Sequence, residues 1–335
     1  MRNMLDFRVS IQCNTYNQSS YITDAMNGFV MQQTDFPFVA VIIDDASTDG
    51  EQEVIQKYVD EHFDHSLESG FKEWETEDAF WISAQHKENK NCHFVVVCLK
   101  QNLFKNPDKK AKVVKDWCNA RYIALCEGDD YWIDPLKMQR QVGFLEMHPD
   151  FSMCIHGADV KNESVREVWT KCETIETREY FSKDVFPDWV VPTASIVYRR
   201  EVVDAYPFKH YDWVTAGDIV LILKGMHTGR VWGMAEHMSV YRMNDGSLMA
   251  KSFVETVESR AAMCRHYQVL MMNFPLVDRV FCNHYIASFN YSRFRLEKRW
   301  AVKLKHLIVS IKASPKYVFR KFWRAVTNGN ENNVE

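Results

Sequence analysis

The stretch Ala124-Leu125-Cys126-Glu127-Gly128-Asp129-Asp130-Tyr131-Trp132 decides how the chain is read. The apolar run Tyr122 to Cys126 has the length of a buried strand, and it runs straight into three carboxylates spaced by a single glycine. Such a cluster is costly inside a protein unless a positive charge sits among its oxygens. At a strand end, a hard divalent cation that also carries phosphate oxygens answers that cost. Mg²⁺ and Mn²⁺ take oxygen ligands and are commonly held by one or two carboxylates plus substrate phosphates. Gly128 allows a tight turn or a close backbone approach. An acidic turn with no ligand is the simpler alternative, and the rest of the chain has to weigh against it.

Working outward, strand-like runs recur with polar ends. Phe7 to Cys13 leads into Asn14-Thr15-Tyr16-Asn17. Phe38 to Ile43 is continuously apolar, as expected of a central parallel strand covered on both faces, and it ends in Asp44-Asp45-Ala46-Ser47-Thr48-Asp49-Gly50. Aspartates there can accept hydrogen bonds from a base or a ribose, while Ser47, Thr48 or Asp49 can cap a helix over 51–63. Phe94 to Leu99 is a further buried strand, and helical spacing is expected over 21–32 and 109–118. Strand, helix, strand, helix, strand is the pattern of an open α/β sheet, whose ligands bind beyond the carboxyl ends of the strands. No GxGxxG follows a strand, so the dinucleotide fingerprint is absent. Residues 65–90 and 160–190 show little periodicity.

Beyond the acidic stretch, Asp134-Pro135 reads as a helix start and Pro149 as its stop. His156 follows a strand and reads as a structural histidine or a substrate neighbour. Strands are expected over 193–198, 231–234 and 238–242, with helices over 253–267 and 279–291. Asp218 lies at the start of a helix over 219–226. It is either an acid stabilised by the helix N-terminus or a positioned general base. Arg242 can pair with a diphosphate or with one of the local acids.

Size and composition narrow the class. The 335 residues, 46% hydrophobic, can bury a large core. No basic-then-apolar leader and no run of 18 apolar residues occurs, so neither a signal peptide nor a spanning helix is expected. Nine scattered cysteines without a CxxC pair suit reduced core thiols of a cytoplasmic protein. Charge is uneven: residues 293–325 carry eleven Lys/Arg against one acid, whereas 1–292 carry 30 basic and 42 acidic residues. That basic tail interleaves aromatic and aliphatic residues, and Pro315 is expected to divide it into two helices. It suits an anionic membrane surface, or packing on the body or a partner. Nucleic-acid binding is not expected of an acidic body.

Taken together, Val9-Ser10-Ile11 through Thr15-Tyr16-Asn17, Ile43 to Gly50, Arg121 to Trp132 and Met238-Ser239-Val240-Tyr241-Arg242 resemble the motifs of family 2 glycosyltransferases of the bacterial surface-polysaccharide type, over about residues 5–250. The resemblance implies a GT-A (Rossmann-like) fold: an open, twisted, mostly parallel sheet flanked by helices. A catalytic domain over 1–255 would be followed by a helical C-terminal region over 256–335. It implies that Thr15, Tyr16, Asn17, Asp44 and Asp45 line the nucleotide pocket. Glu127-Gly128-Asp129 stands where the metal-binding Asp-x-Asp is usual, making Asp129 and Glu127 the expected metal ligands, with Asp130 close to the donor sugar or the ion. Arg242 would face the diphosphate, the Tyr241–Ser247 loop would fold over it, and Asp218 would be the acceptor-activating base. A UDP-sugar donor, Mn²⁺ or Mg²⁺, and a glycan or lipid-linked glycan acceptor follow. So does a place in the cytoplasm or on the inner face of the membrane, reached through residues 293–325. Two departures stand out: Glu127 replaces the commoner aspartate, and Asn244 stands where related enzymes often carry histidine. The Gln-x-x-Arg-Trp signature of processive enzymes is missing, which implies one sugar per binding event. A metal-dependent nucleotidyltransferase and a non-catalytic nucleotide-sugar or glycan binder are the alternatives.

Overall fold

The computed structural model describes residues 7–163, 171–185, 190–204, 209–244 and 256–331. Packing divides the chain into two compact units. One comprises residues 1–180, 188–205 and 228–243, and the other comprises 181–187, 206–227 and 244–335.

The first unit is a sheet with helices packed on it. Its strands are β1 (Val9–Thr15), β2 (Phe38–Asp44), β3 (Phe63–Asp64), β4 (Lys72–Glu75), β5 (Ala79–His86), β6 (Cys92–Leu99), β7 (Tyr122–Leu125), β8 (Tyr131–Trp132), β9 (Phe151–Asn162), β10 (Arg178–Tyr180), β11 (Val197–Arg199) and β12 (Arg230–Met243). Their order is β10-β12-β9-β11-β7-β1-β2-β6-β5-β3, with β4 added on β5 and β8 on β12. The centre is parallel: β7, β1, β2 and β6 run side by side, with β1 flanked by β2 and β7. Antiparallel strands extend it on both sides. This is a Rossmann-like, mixed sheet of the GT-A type with a helical C-terminal extension.

β2 shows why the centre is fixed. All seven of its residues are buried, and successive side chains point to opposite faces. Phe38, Ala40 and Ile42 enter one core with Phe94 and Val96, while Val39, Val41 and Ile43 enter a second with Val95 and Val97. A one-residue slip would exchange the two sets and break both cores. The register then dictates the site: Thr15 pairs with Asp44, and Gln12 with Leu125. The carboxyl ends of β1, β2 and β7 therefore meet at one edge.

The helices that cover this unit are α1 (Ile22–Val30), α2 (Glu51–His62), α3 (Pro107–Val114) and α4 (Lys137–Met147). α1 buries Ile22, Ala25, Met26 and Phe29. It also lies directly on β8, because a Cβ at Gly28 would meet the Trp132 backbone nitrogen at 2.8 Å. Trp132 is itself buried, donates its indole N–H to Ala194 O at 2.9 Å and packs edge-on against Phe29.

Several elements differ from the sequence expectation. The segment 65–90 is not irregular: it holds β5, which pairs along β6. Its pattern is hidden because Ser83 and His86 are buried with the apolar residues, Ser83 paired with His93 Nε2 at 2.8 Å. The two strands expected over 231–234 and 238–242 are one strand, β12, whose register shifts between Met234 and Ser239 interrupt the alternation. The strand expected over 193–198 starts later, because Thr193–Ser195 forms a 3-10 turn. α2 has Gly50 at its N-cap with φ of 86°, while Asp49 Oδ1 accepts from Glu51 N. α4 starts at Lys137 rather than at Pro135, because Asp134 turns back to accept from Leu136 N at 2.8 Å. The nine cysteines are free, and seven are buried.

The second unit holds α5 (Gly217–Thr228, ending at the unit boundary) and the helices Val257–Asn273, Arg279–Leu296, Trp300–Ala313 and Pro315–Glu331. Pro315 does open a new helix, being tolerated in a first turn where its missing N–H has no role. Among the described residues no helix is long and apolar enough to cross a membrane.

Candidate active site

Two strand tips form the site, and they are wired differently. At the first, Asp45 takes its hydrogen bonds from the fold. Oδ1 accepts from Leu103 N at 2.6 Å, and Oδ2 lies 3.3 Å from Lys110 Nζ. Asp44, fully buried, accepts through Oδ1 from Ser47 N at 3.2 Å and Gln52 Nε2 at 2.6 Å, whereas its Oδ2 has no partner. Asn17, held at φ of 54°, ties the β1 loop to the β2 loop. Its Oδ1 accepts from Thr48 N and its N–H donates to Ser47 Oγ. Tyr16 is 47% exposed at this edge and presents a ring to solvent.

Beneath both loops lies an acid that sequence reading passed over. Glu51, the first residue of α2, is fully buried. Its Oε2 accepts from Gln18 N at 2.9 Å and Ser47 Oγ at 2.8 Å, and its Oε1 meets Thr15 Oγ1, which also lies 2.8 Å from Gln18 Oε1. Burial, above all, pushes its carboxyl above the usual range. A protonated Glu51 can donate to Thr15, which donates on to Gln18, so every hydroxyl and carboxyl in the chain is satisfied. The available signal was position: an acid in the first helical turn, straight after a polar strand end.

The second tip carries its charge with less support. Glu127 is exposed, Asp129 is half-buried and Asp130 is buried. Desolvation and then the neighbouring Asp129 charge drive the Asp130 carboxyl well above the ordinary aspartate value, against one backbone N–H from Arg242 at 2.9 Å. The Arg242 guanidinium is committed elsewhere. It donates to Asp129 O at 2.9 Å and to Asp24 Oδ2 at 2.7 Å, and its Nε lies 3.3 Å from Glu163. It also lies near the rings of Tyr21 and Tyr131 at 4.6 and 4.9 Å. Of the two roles open to Arg242, pairing with local acids is the one this geometry shows.

Gly128 joins the tips. Its N–H donates to Asn14 O at 3.0 Å. A Cβ there would meet Gln18 Oε1 at 2.5 Å and Thr15 Cβ at 2.7 Å, with Thr15 Oγ1 closer still. Beside the first tip opens a cavity of about 880 Å³, lined by Ala46, Ser47, Thr48, Gln52, Phe80 and Lys100 among others.

With the geometry in place, the chain can be set beside solved structures. TarS residues 1–349 from S. aureus, in complex with UDP-GlcNAc, superposes with a TM-score of 0.55 over 93% of this chain and 81% of that one, at 18% identity. A mannosyltransferase from Pyrobaculum calidifontis, in complex with GDP-Man and Mn²⁺, superposes at 0.51 over 98% and 81%, at 12% identity. The likeness is one of fold. In sequence, uncharacterized proteins of Mycobacterium bovis and Mycobacterium tuberculosis are 28% identical over 252 residues, 74% of this chain. The match spans 62% of the length of those relatives. No protein-family model matches the chain.

In such a sheet the two tips stand where ligands bind, beyond the strand ends. Among the described residues no group of three or more His, Cys, Asp and Glu is arranged to hold a metal by itself. The donor set of the second tip is nonetheless all carboxylate oxygen, and one member is held against its own ionisation. Those features fit a hard cation whose remaining ligands are water and phosphate. The other expected residues belong to other elements. Asp218 is half-buried in the first turn of α5, in the second unit, with Oδ1 accepting from Ile219 N. Asn244 is buried, and the loop from residue 245 onward lies outside the described residues. His156 is buried and pairs through Nδ1 with Gly157 O at 2.7 Å, while its Nε2 has no partner among the described residues.

Proposed function

We propose that the protein is a metal-dependent, inverting glycosyltransferase. It moves one sugar per encounter from a nucleotide sugar, UDP-linked by preference, to a hydroxyl of a glycan or lipid-linked glycan. The observation that carries this reading is the second strand tip. Asp130 is buried beside Asp129 and Glu127, and burial and the Asp129 charge hold its carboxyl well above the ordinary aspartate value although the Arg242 N–H and guanidinium pull the other way. A buried acid raised by its acidic neighbour is one whose ionisation a bound cation would favour. Both solved structures of like fold hold a nucleotide sugar, and one also holds Mn²⁺.

In this reading Asp129 and Glu127 hold the ion and Asp130 faces the donor. Once bound, the cation supplies the charge that balances a departing nucleoside diphosphate. Thr15, Tyr16, Asn17, Asp44 and Asp45 border the nucleotide. The exposed Tyr16 ring offers the base a stacking face, and the cavity beside Ser47 and Thr48 offers it room. Arg242 positions the acidic turn from below. Asp218, assigned from the sequence motif, takes the proton of the acceptor hydroxyl as its oxygen attacks the anomeric carbon.

The test is a screen of nucleotide sugars with and without Mn²⁺, followed for free nucleoside diphosphate and for inverted product. Release from a UDP-sugar that requires Mn²⁺ is expected. Replacing Asp218 by Asn should lower turnover on the order of 10²–10⁴-fold with donor affinity retained. Pyrophosphate released from UTP in place of diphosphate from UDP-sugar would make it a nucleotidyltransferase. Binding of nucleotide sugar without turnover of any acceptor or water would make it a binding protein.

A further inference from the structure

The helix Trp300–Ala313 is assembled with its polarity reversed. The residues it buries are His306 and Ser310, the latter donating to Ala287 O at 2.7 Å. The residues it exposes include large apolar ones: Trp300 at 72%, Leu304 at 44%, Ile308 at 45% and Ile311 at 42%. Spacings of four, four and three place those four on one stripe. The next helix also leaves large apolar residues exposed. Val318 is buried, while Phe319 and Trp323 are 67% and 61% exposed. A helix packed only on its own protein puts its apolar stripe inward, so this surface is built for a second contact.

We propose that this face seats on an anionic lipid surface. Charge selects that occupant. Residues 293–325 carry eleven basic residues and one acid, and Lys305, Lys312, Lys316, Arg320 and Lys321 are exposed along the same two helices. A second copy docking face to face would bring two such clusters together, an unfavourable pairing that a negatively charged leaflet turns into attraction. An apolar stripe bordered by lysine and arginine, with tryptophan at its ends, is the form of a helix that lies in the headgroup layer rather than spanning it. The body keeps the opposite sign, 30 basic against 42 acidic residues over 1–292, so a negative leaflet attracts one end of the chain and repels the rest.

The experiment is sedimentation of the full chain with vesicles of phosphatidylcholine alone and of phosphatidylcholine with 30% phosphatidylglycerol, at low and high salt. Sedimentation with the anionic vesicles only, lost at high salt, is expected. The triple replacement Trp300→Ser, Leu304→Ser, Ile308→Ser alters exposed positions and should cut partitioning on the order of tenfold or more. Lys305→Glu with Lys312→Glu should do the same with the apolar stripe intact. Unchanged partitioning in both variants, equal sedimentation with neutral vesicles, or a dimer in light scattering that the triple variant dissolves would each overturn the proposal. The assay contains no donor or acceptor, so its result stands apart from the transfer reaction.

Discussion

The two acidic strand tips lie on one sheet edge with β1 between them, yet their carboxylates are held in different ways. At the first, Asp45 is answered by the Leu103 N–H and Lys110, and Asp44 by Ser47 and Gln52. At the second, the Arg242 N–H and charge favour the ionised Asp130, but burial and the neighbouring acids outweigh them. Identical residue types thus hold a loop in one place and a standing demand for charge in the other. Partner supply separates the two roles, and acid count does not.

That contrast can be broken most directly by matched alanine variants. Asp129→Ala should lower sugar transfer on the order of 10²–10³-fold and abolish the Mn²⁺ dependence of UDP affinity in titration calorimetry, with little change in melting temperature. Asp45→Ala should do the reverse. It strands the Leu103 N–H and Lys110, costs about 2–3 kcal/mol in denaturant unfolding, and leaves the Mn²⁺ dependence in place. A pair of variants that lose stability and cation response together would show that the tips are one structural unit.

A smaller effect sharpens the difference by pH. Asp130 has its folded value raised, so the fold prefers the protonated acid. The stability this leaves intact below about pH 4 is lost as the pH climbs through the raised value. Asp130→Asn keeps the acceptor for Arg242 N and removes that loss. The variant should melt on the order of 2–4 °C higher than the parent at pH 7 without cation, with no gain at pH 4. Parent and variant melting alike at both values would mean that the charge at this tip is already balanced.

The smallest expected change concerns Glu51. If it is neutral between Thr15 and Ser47, Glu51→Gln should shift unfolding by under about 1 kcal/mol, because an amide can reproduce both the donor and the acceptor. A loss several times larger would mean that it is ionised, and the first tip would then carry an unanswered charge of its own.

The central strands were legible because their sequences report burial directly: Phe38 to Ile43 in β2 and Phe94 to Leu99 in β6 are apolar without interruption, and the polar residues that follow β2 mark the carboxyl edge of the sheet. The tips were legible for the same reason. Other features needed the third dimension. β5 was hidden by buried Ser83 and His86, which look like surface residues until His93 and the turn after β5 supply their partners. The partners of Arg242 come from Asp24 and Glu163, far off in sequence, so nothing local said which of its two roles it would take. Glu51 was legible as a helix residue but not as a buried one, since burial there depends on β1 lying across it. The compact units also follow no single break in the chain, because residues 206–227 pack with the C-terminal helices.

Gly128 adds a constraint of a different kind. The turn that bears the acids rests on Thr15 and Gln18 with only a hydrogen atom's width between them. A change of the acids on either side meets no such collision. The hinge between them has no such freedom, because any heavier group at that position would pry the β1 loop and the acidic turn apart and cost the protein both halves of its site at once.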